Sequence, residues 1–339
     1  MAGCHSPCKF SVEALGALIW NWANLCLKMA FDVTHWVDLR TIDVRRKQYP
    51  REMSIKFIDL FAGIGGFHLA LHQLGAECVF ASEWDEKARL TYEANYQRIS
   101  PKLFESGNFQ GDITLVDKQE IPDFDLLTAG FPCQPFSQAG HKRGFDDMRG
   151  TLFFEIAEII RIKQPSAFFL ENVRHLYSHD NGQTFAKIKQ VITEDLGYSL
   201  HEFVVKASDH GLPQLRPRLF MIGFRDPSTK FAPPIKRDLA FNMSDVMKGA
   251  VNREIGFTLR VGGKASPITD RRNWDGYLVD GEVRRLTPDE GKKMQGFPDH
   301  FVFPVSRSEA MKQLGNSVAV WAIQDYADQI ITSLREHNG

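Results

Sequence analysis

The chain reads as an α/β protein built on a doubly wound, mostly parallel sheet, with a smaller loop-rich region late in the sequence. Three observations predict this. From residue 55 to residue 224, apolar runs of strand length alternate with segments of helical spacing. A glycine-rich turn joins the first strand to the first helix, and several chemically capable side chains fall where strands end. After Phe224 the periodicity stops, and Pro, Gly and charged residues follow in irregular order through residue 283.

The elements follow in order. Residues 55–61 (IKFIDLF) read as a buried strand, Gly63-Ile64-Gly65-Gly66 as a tight turn, and residues 67–74 as a helix. Residues 77–81 form a second strand, and residues 85–96 a helix opening on an acidic residue. A third strand should end near Gly111. Residues 125–129 are a strand, residues 151–163 an amphipathic helix halted before Pro165, and residues 167–170 another strand. A helix over 182–196 and strands over 198–207 and 218–224 complete the series. Helical spacing returns at residues 287–295, and residues 309–335 form a last long helix broken at Gly315-Asn316. The expected organisation is an N-terminal extension of unknown role (1–53), a large domain (54–225 with 310–339), a loop-rich domain (226–283) and a hinge (284–309). Met53 stands just before the first strand; a functional start there or at Met29 is one expectation for the extension, and a packed helical segment is the other.

With 339 residues, 43% of them apolar, the chain can build a substantial core. A net charge of −1 neither favours nor excludes a nucleic-acid partner, because a basic groove can be offset elsewhere. The five cysteines, Cys4, Cys8, Cys26, Cys78 and Cys133, suit neither a disulfide framework nor a zinc site. Free thiols point to a reducing compartment. With no membrane span or signal peptide, a cytoplasmic location is expected.

Cys133 is the leading candidate nucleophile. It follows a buried strand and sits between Pro132 and Pro135, which restrict its backbone. Glu171 ends the neighbouring strand run, where a carboxylate needs a partner or a task; burial there would raise its pKa and let it carry a proton. A helix-capping Glu–Asn pair is the competing explanation. Arg216 and Arg218, two apart before a strand, would project to one face of an extended chain, although a solvated basic edge has the same pattern. Phe61-Ala62-Gly63-Ile64-Gly65-Gly66 lets a ligand approach the backbone, but His68 stands where a dinucleotide fingerprint has its third glycine, which argues against a nicotinamide cofactor. Glu83 ends the second strand, where an acid bridges ribose hydroxyls, and Trp84 follows as a stacking surface; an ordinary surface acid and a half-buried Trp are the bland alternative. Asp112, next to Ile113, serves equally as an acceptor for an exocyclic amine or as a turn or N-cap residue.

Taken in order, these segments resemble the C5-cytosine DNA methyltransferases of bacterial restriction–modification type. The resemblance rests on Phe61–Gly66, Glu83-Trp84, Gly111-Asp112, Gly130-Phe131-Pro132-Cys133-Gln134, Glu171-Asn172-Val173, Gln214-x-Arg216-x-Arg218, Arg284 to Pro288, Met294 to Pro298, and Gly315-Asn316-Ser317-Val318. It implies a Rossmann-like fold and S-adenosyl-L-methionine as cofactor, held by Phe61, Ala62, Gly63, Gly65, Gly66, Glu83, Trp84, Asp112, Ile113, Pro132, Asn316 and Ser317. It implies catalysis by Cys133, Glu171, Arg216 and Arg218 on a cytosine flipped out of double-stranded DNA, with no metal. Residues 137–150 look like a mobile catalytic loop. Gln134, Ser137, Lys142 and Arg143, with Arg260, Lys264, Arg271 and Arg272 in the loop-rich target-recognition region, would contact DNA; phosphate contacts are the more common role for any one of them. The last helix would pack back on the large domain. A monomer is expected, sharing its site with a cognate restriction endonuclease without a stable complex. The alternatives are a tRNA cytosine-5 methyltransferase on the same fold and a non-catalytic nucleic-acid-binding module. A nicotinamide dehydrogenase leaves the Pro-Cys segment unexplained.

Overall fold

The structure, a computed structural model, describes residues 54–132, 151–262 and 265–338. The expectations placed on residues 1–53 and on Cys133, Gln134, Ser137, Lys142, Arg143 and Lys264 lie outside the described residues.

Seven strands form the central sheet: β1 (Lys56–Leu60), β2 (Glu77–Ser82), β3 (Phe109–Gln110), β4 (Leu126–Gly130), β5 (Ala167–Val173), β6 (His201–Val205) and β7 (Arg218–Phe224). Their spatial order is β3-β2-β1-β4-β5-β7-β6. The first five are parallel, and β7 runs antiparallel to both β5 and β6. The order reverses between β1 and β4, so a crevice opens beyond the carboxyl ends of these strands.

The strands are apolar on both faces because helices cover both. Phe57, Leu126, Phe169 and Ile222 belong to one core, while Ile58, Leu60, Leu127, Phe168 and Met221 belong to the other. Successive strand residues alternate between the two faces. Against the first core lie α1 (Gly66–Gln73) and, packed on it, the C-terminal helix Val320–Asn338. The last helix thus returns to the first strand–helix unit, as expected. Next to β2 and β3 are α2 (Glu86–Tyr96) and α3 (Pro101–Glu105). The second core takes α4 (Leu152–Lys163) and α5 (Gln183–Gln190). Thr151 caps α4 by accepting the Phe154 amide, and Gln164 ends it in a left-handed conformation (φ 47°) just before Pro165.

The third strand has only two residues and ends next to Gly111, as expected. Three expectations needed adjustment. The strand expected over 167–170 runs on to Val173, so Glu171 lies within it. The helix expected over 182–196 is regular only to Gln190, and a wider π turn, Val191–Asp195, completes it. The strand expected over 198–207 is trimmed to His201–Val205. Tyr198 instead donates its hydroxyl to the Pro165 carbonyl at 2.6 Å, and Ala207 opens a 3-10 turn.

In residues 226–283 the regular elements are short: α6 (Met243–Met247), then the strand β8 (Gly276–Val279) of a hairpin whose partner is β9 (Glu282–Arg285). The hairpin turns at Asp280 and Gly281, both at positive φ. α7 (Pro288–Gln295) carries a full set of end signals: Thr287 and Glu290 form a capping box, Pro288 opens the helix, and Gly296 closes it at φ 80°. α8 (Arg307–Asn316) is separated from α9 (Val320–Asn338) by residues 317–319, with Ser317 extended, so the break falls just after the Gly315-Asn316 pair where it was expected, and both of those residues belong to α8. No helix among the described residues is long and apolar enough to cross a membrane.

Candidate active site

An open pocket of about 480 Å³ lies at the carboxyl ends of β1, β2, β4 and β5. Phe61, Gly63, Glu83, Trp84, Asp112, Ile113, Pro132, Glu171, Arg218, Asn316 and Ser317 all line it. The sheet order therefore gathers residues scattered over most of the chain.

The glycine turn forms one wall. Phe61, Gly63 and Gly65 have φ of 54°, 57° and 80°, a left-handed conformation that costs Phe61 about 1 kcal/mol. Gly65 cannot be replaced: a Cβ there would enter the Tyr96 ring, whose hydroxyl donates to the Gly65 carbonyl at 2.5 Å. The turn leaves the first amides of α1 without a side-chain cap, as an anion- or ligand-binding helix start requires. The Ala62 amide donates to the Ser82 carbonyl at 3.0 Å, tying the turn to β2.

Glu83 is 8% exposed, and both its oxygens are already engaged by the main chain. Oε2 accepts the Gly63 amide at 2.8 Å and Oε1 accepts the Asp85 amide at 2.8 Å. Burial pushes its carboxyl above the usual glutamate range, and the amides pull it partly back. Trp84 is 77% exposed beside it, so its ring face is open. Asp112 combines the two readings open at the sequence level. Its Oδ1 accepts the Thr114 amide and hydroxyl at 2.9 and 2.8 Å, capping a 3-10 turn, and the residue also lines the pocket. The Ser82 and Ser317 hydroxyls are buried in this lining without a hydrogen-bond partner among the described residues.

Glu171 and Arg218 meet because β5 and β7 are antiparallel. Glu171 faces Phe220, and Arg218 faces Val173, which places the two side chains diagonally on one face. Arg218 Nε lies 2.8 Å from Glu171 Oε1. Burial drives the Glu171 carboxyl above its ordinary range, and Arg218 and then Arg216 counteract this. Glu171 is thus no helix cap.

Arg216 requires a correction. It does not project with Arg218 to one face and does not line the pocket. Its φ is 30° and Pro217 follows, so the chain turns instead of running extended. Its guanidinium is 1% exposed and donates to the carbonyls of Leu259, Gly315 and Ser317.

Other contributors, or their partners, were not visible in the sequence. Asn172 Nδ2 donates to the Phe131 carbonyl at 2.9 Å, fastening the chain two residues before Cys133 to β5. Lys312 and Gln313 of α8 join the lining. Asp59 lies fully buried on β1. Helical or strand periodicity marks such positions only as inward-facing; their partners come from distant segments. In the loop-rich region, Arg260 donates to the Arg272 carbonyl at 2.8 Å, Arg272 pairs with Asp270 at 2.8 Å, and Arg271 is exposed.

The comparisons with known proteins agree with this arrangement. The profile of the C-5 cytosine-specific DNA methylases matches residues 55–253 and 240–332. The chain is 39% identical over 334 residues to the type II methyltransferase M.HhaI of Haemophilus parahaemolyticus, covering 86% of this chain and 98% of that protein. It is 41% identical over 329 residues to the type II methyltransferase M.HpaII of Haemophilus parainfluenzae, covering 82% and 89%. Among solved structures, a Spodoptera frugiperda DNMT2 mutant superposes with a TM-score of 0.61 at 19% identity, over 82% of this chain and all of that one. A putative DNA modification methyltransferase from an Escherichia coli prophage gives 0.57 at 20% identity, over 83% and 100%. The fold is accordingly that of the S-adenosylmethionine-dependent methyltransferases, and the chain belongs to the C-5 cytosine-specific DNA methylase family.

Proposed function

We propose that this protein is a DNA (cytosine-5-)-methyltransferase that modifies a cytosine turned out of a specific duplex sequence, within a restriction–modification system. Family membership supplies the reaction class. The observation that supports the mechanism is the buried Glu171–Arg218 pair in the same pocket as Glu83 and Trp84.

The residues present fit S-adenosyl-L-methionine. Two buried serine hydroxyls lack partners among the described residues, Glu83 is held rigidly with remaining lone pairs for ribose hydroxyls, and the Trp84 ring is open for an adenine. Asp112 would meet the exocyclic amine, Phe61, Gly63 and Pro132 would surround the methionine end, and Ile113, Asn316 and Ser317 would close the wall. Ala62, Gly65 and Gly66 are outside the lining and would act by shaping the turn, with Gly65 against Tyr96 and Gly66 against Val318. When bound, the cofactor supplies the methyl group that cytosine C5 receives.

The thiolate of Cys133 attacks C6, and the C5–C6 electron pair shifts to make C5 nucleophilic. Glu171 addresses the N3/N4 edge; its raised pKa suits it to share a proton with N3. Arg218 fixes Glu171 in place and reaches for O2. After methyl transfer a base removes the C5 proton, the C5–C6 double bond re-forms, and the C6–S bond breaks to release Cys133. A stacked cytosine cannot reach this pocket, so the base must leave the duplex.

Residues 226–283 form the target-recognition region in this reading, with residues 284–309 as the hinge. Arg260, Lys264, Arg271 and Arg272 contact DNA there, and Gln134, Ser137, Lys142 and Arg143 contact it from the nucleophile side. The protein acts in the cytoplasm as a monomer, on the same site as a cognate endonuclease. Methyl transfer from labelled cofactor, offered duplex DNA and tRNA side by side, is expected to label DNA; bisulfite sequencing then reports the cytosine modified. Cys133→Ser should lower the rate on the order of 10³-fold or more. Preferential labelling of tRNA, or equal rates for wild type and Cys133→Ser, would overturn the reading.

A further inference from the structure

Residues 214–218 send one arginine to the pocket and bury the other among main-chain carbonyls. The Arg216 guanidinium donates to the Leu259 carbonyl at 3.2 Å, to the Gly315 carbonyl at 3.0 Å, and to the Ser317 carbonyl. Leu259 leads directly into Arg260 and the loop of the recognition region. Gly315 and Ser317 belong to the wall of the cofactor pocket. One side chain therefore binds two walls that the sequence separates by more than fifty residues.

The bonds around it run the same way. The Arg216 amide donates to Thr258 Oγ1 at 3.1 Å, and the Leu259 amide donates to Gln214 Oε1 at 3.0 Å. Gln214 Nε2 reaches the Met294 carbonyl at 3.3 Å, and Gln295 Nε2 reaches the Leu314 carbonyl at 2.6 Å. Gly315 packs directly on Arg260: a Cβ there would lie 2.8 Å from the Arg260 carbonyl carbon. Two residues after Arg216, Arg218 holds Glu171. Recognition loop, cofactor wall and reaction pocket thus share one short strut.

Burying a guanidinium costs desolvation that an apolar side chain of similar volume avoids. What the charge provides here is a fixed geometry between three carbonyls, because the planar fork allows few arrangements. Any ligand that fixes one carbonyl reduces the freedom left to the others, and a second ligand then loses less entropy on binding.

We propose that Arg216 is the positioning residue that couples target recognition to the cofactor pocket: DNA bound at Arg260 fixes the adjoining Leu259 carbonyl and with it the guanidinium, and through it the wall at Gly315 and Ser317. Arg216 touches neither substrate nor cofactor in this role. The proposal rests on the methyltransferase reading of the pocket.

The test is calorimetric binding of S-adenosylhomocysteine to the full chain, with and without a duplex carrying the cytosine that bisulfite sequencing identifies. A scrambled duplex is the control. In the wild type the specific duplex should tighten cofactor-product binding about fivefold or more, and the cofactor product should tighten duplex binding by the same factor. Arg216→Met should reduce both factors below about twofold while still melting cooperatively. Thr258→Val, which removes only the acceptor for the Arg216 amide, should give an intermediate factor. A folded Arg216→Met that keeps the wild-type factor overturns the proposal, as does a wild type with no coupling. A variant that only melts earlier, with coupling intact, has a structural arginine and overturns it equally. If Arg216→Met does not melt cooperatively, Thr258→Val decides by the same criterion. Failure of the underlying reading is distinguishable, since the wild type would then methylate no duplex cytosine.

Discussion

Glu83 and Glu171 line the same pocket, both are buried, and burial lifts the carboxyl of each above the usual range, yet they are held by different means. Glu83 rests on two main-chain amides within its own β2-to-α2 connection and the neighbouring glycine turn. Glu171 rests on a side chain, Arg218, contributed by an antiparallel strand. β2 and β5 stand three strand spacings apart, about 14 Å, so the two carboxylates can serve two ends of one bound pair of reactants. The difference teaches what each end demands. A carboxylate fixed by amides is a rigid acceptor. A buried carboxylate beside a guanidinium has its proton affinity raised by burial and drawn partly back by the charge, a combination suited to sharing a proton with a base.

The largest expected effect is at the arginine-held end. Glu171→Gln keeps the size but cannot exchange a proton, so kcat should fall on the order of 10²–10⁴-fold, with the KM for cofactor nearly unchanged. Steady-state methyl transfer checks this; an equal rise in cofactor KM would erase the contrast between the ends. At the amide-held end, Glu83→Gln places an NH₂ against the amide of Gly63 or Asp85, leaving a donor facing a donor. Losing one charge-assisted hydrogen bond of roughly 1.5–3 kcal/mol predicts a cofactor KM raised about 10–100-fold. kcat at saturation should stay within about threefold of wild type. A fall in kcat as large as that of Glu171→Gln would show that both carboxylates serve the chemistry.

The same contrast explains what the sequence made legible. Glu83, Cys133 and Glu171 stand out because apolar runs of strand length end at them, and period and burial are local properties. The β1-to-α1 turn was legible from glycines alone. Arg216 was not, because a single positive φ before Pro217 undoes the spacing argument for an extended chain. His68 was visible only as a missing glycine. It is in fact fully buried behind the turn, its ring stacked on Tyr96 with 4.3 Å between centroids, and within 2.6 Å of the Tyr92 hydroxyl. Asn172 was part of a motif but had no partner until the fold brought Phe131 to it. Contacts between segments twenty or more residues apart leave no local pattern, and most of the contacts that brace this site are of that kind.

A third carboxyl, Asp59, sharpens the comparison by having neither kind of support in full. It is fully buried on β1, with Thr128 Oγ1 3.3 Å from its Oδ1, while Oδ2 has no partner among the described residues. Burial is the main cause that lifts its pKa from 3.8 to about 8, with nearby Glu83 adding to the rise. The folded state therefore holds this proton more tightly than the unfolded chain does. The stability it contributes is complete below about pH 3.8 and drains away as pH rises through about 8. Asp59→Asn cannot ionise and should remove that slope. Melting temperatures across pH 5–9 should show the wild type losing ground steadily to Asp59→Asn up to about pH 8, with the difference levelling beyond it. A constant difference across that range would mean that Asp59 is not carried protonated at neutral pH, and that a carboxylate here finds support comparable to the amides on Glu83. Because the site is behind the glycine turn and outside the pocket lining, kcat should move least of all among these variants.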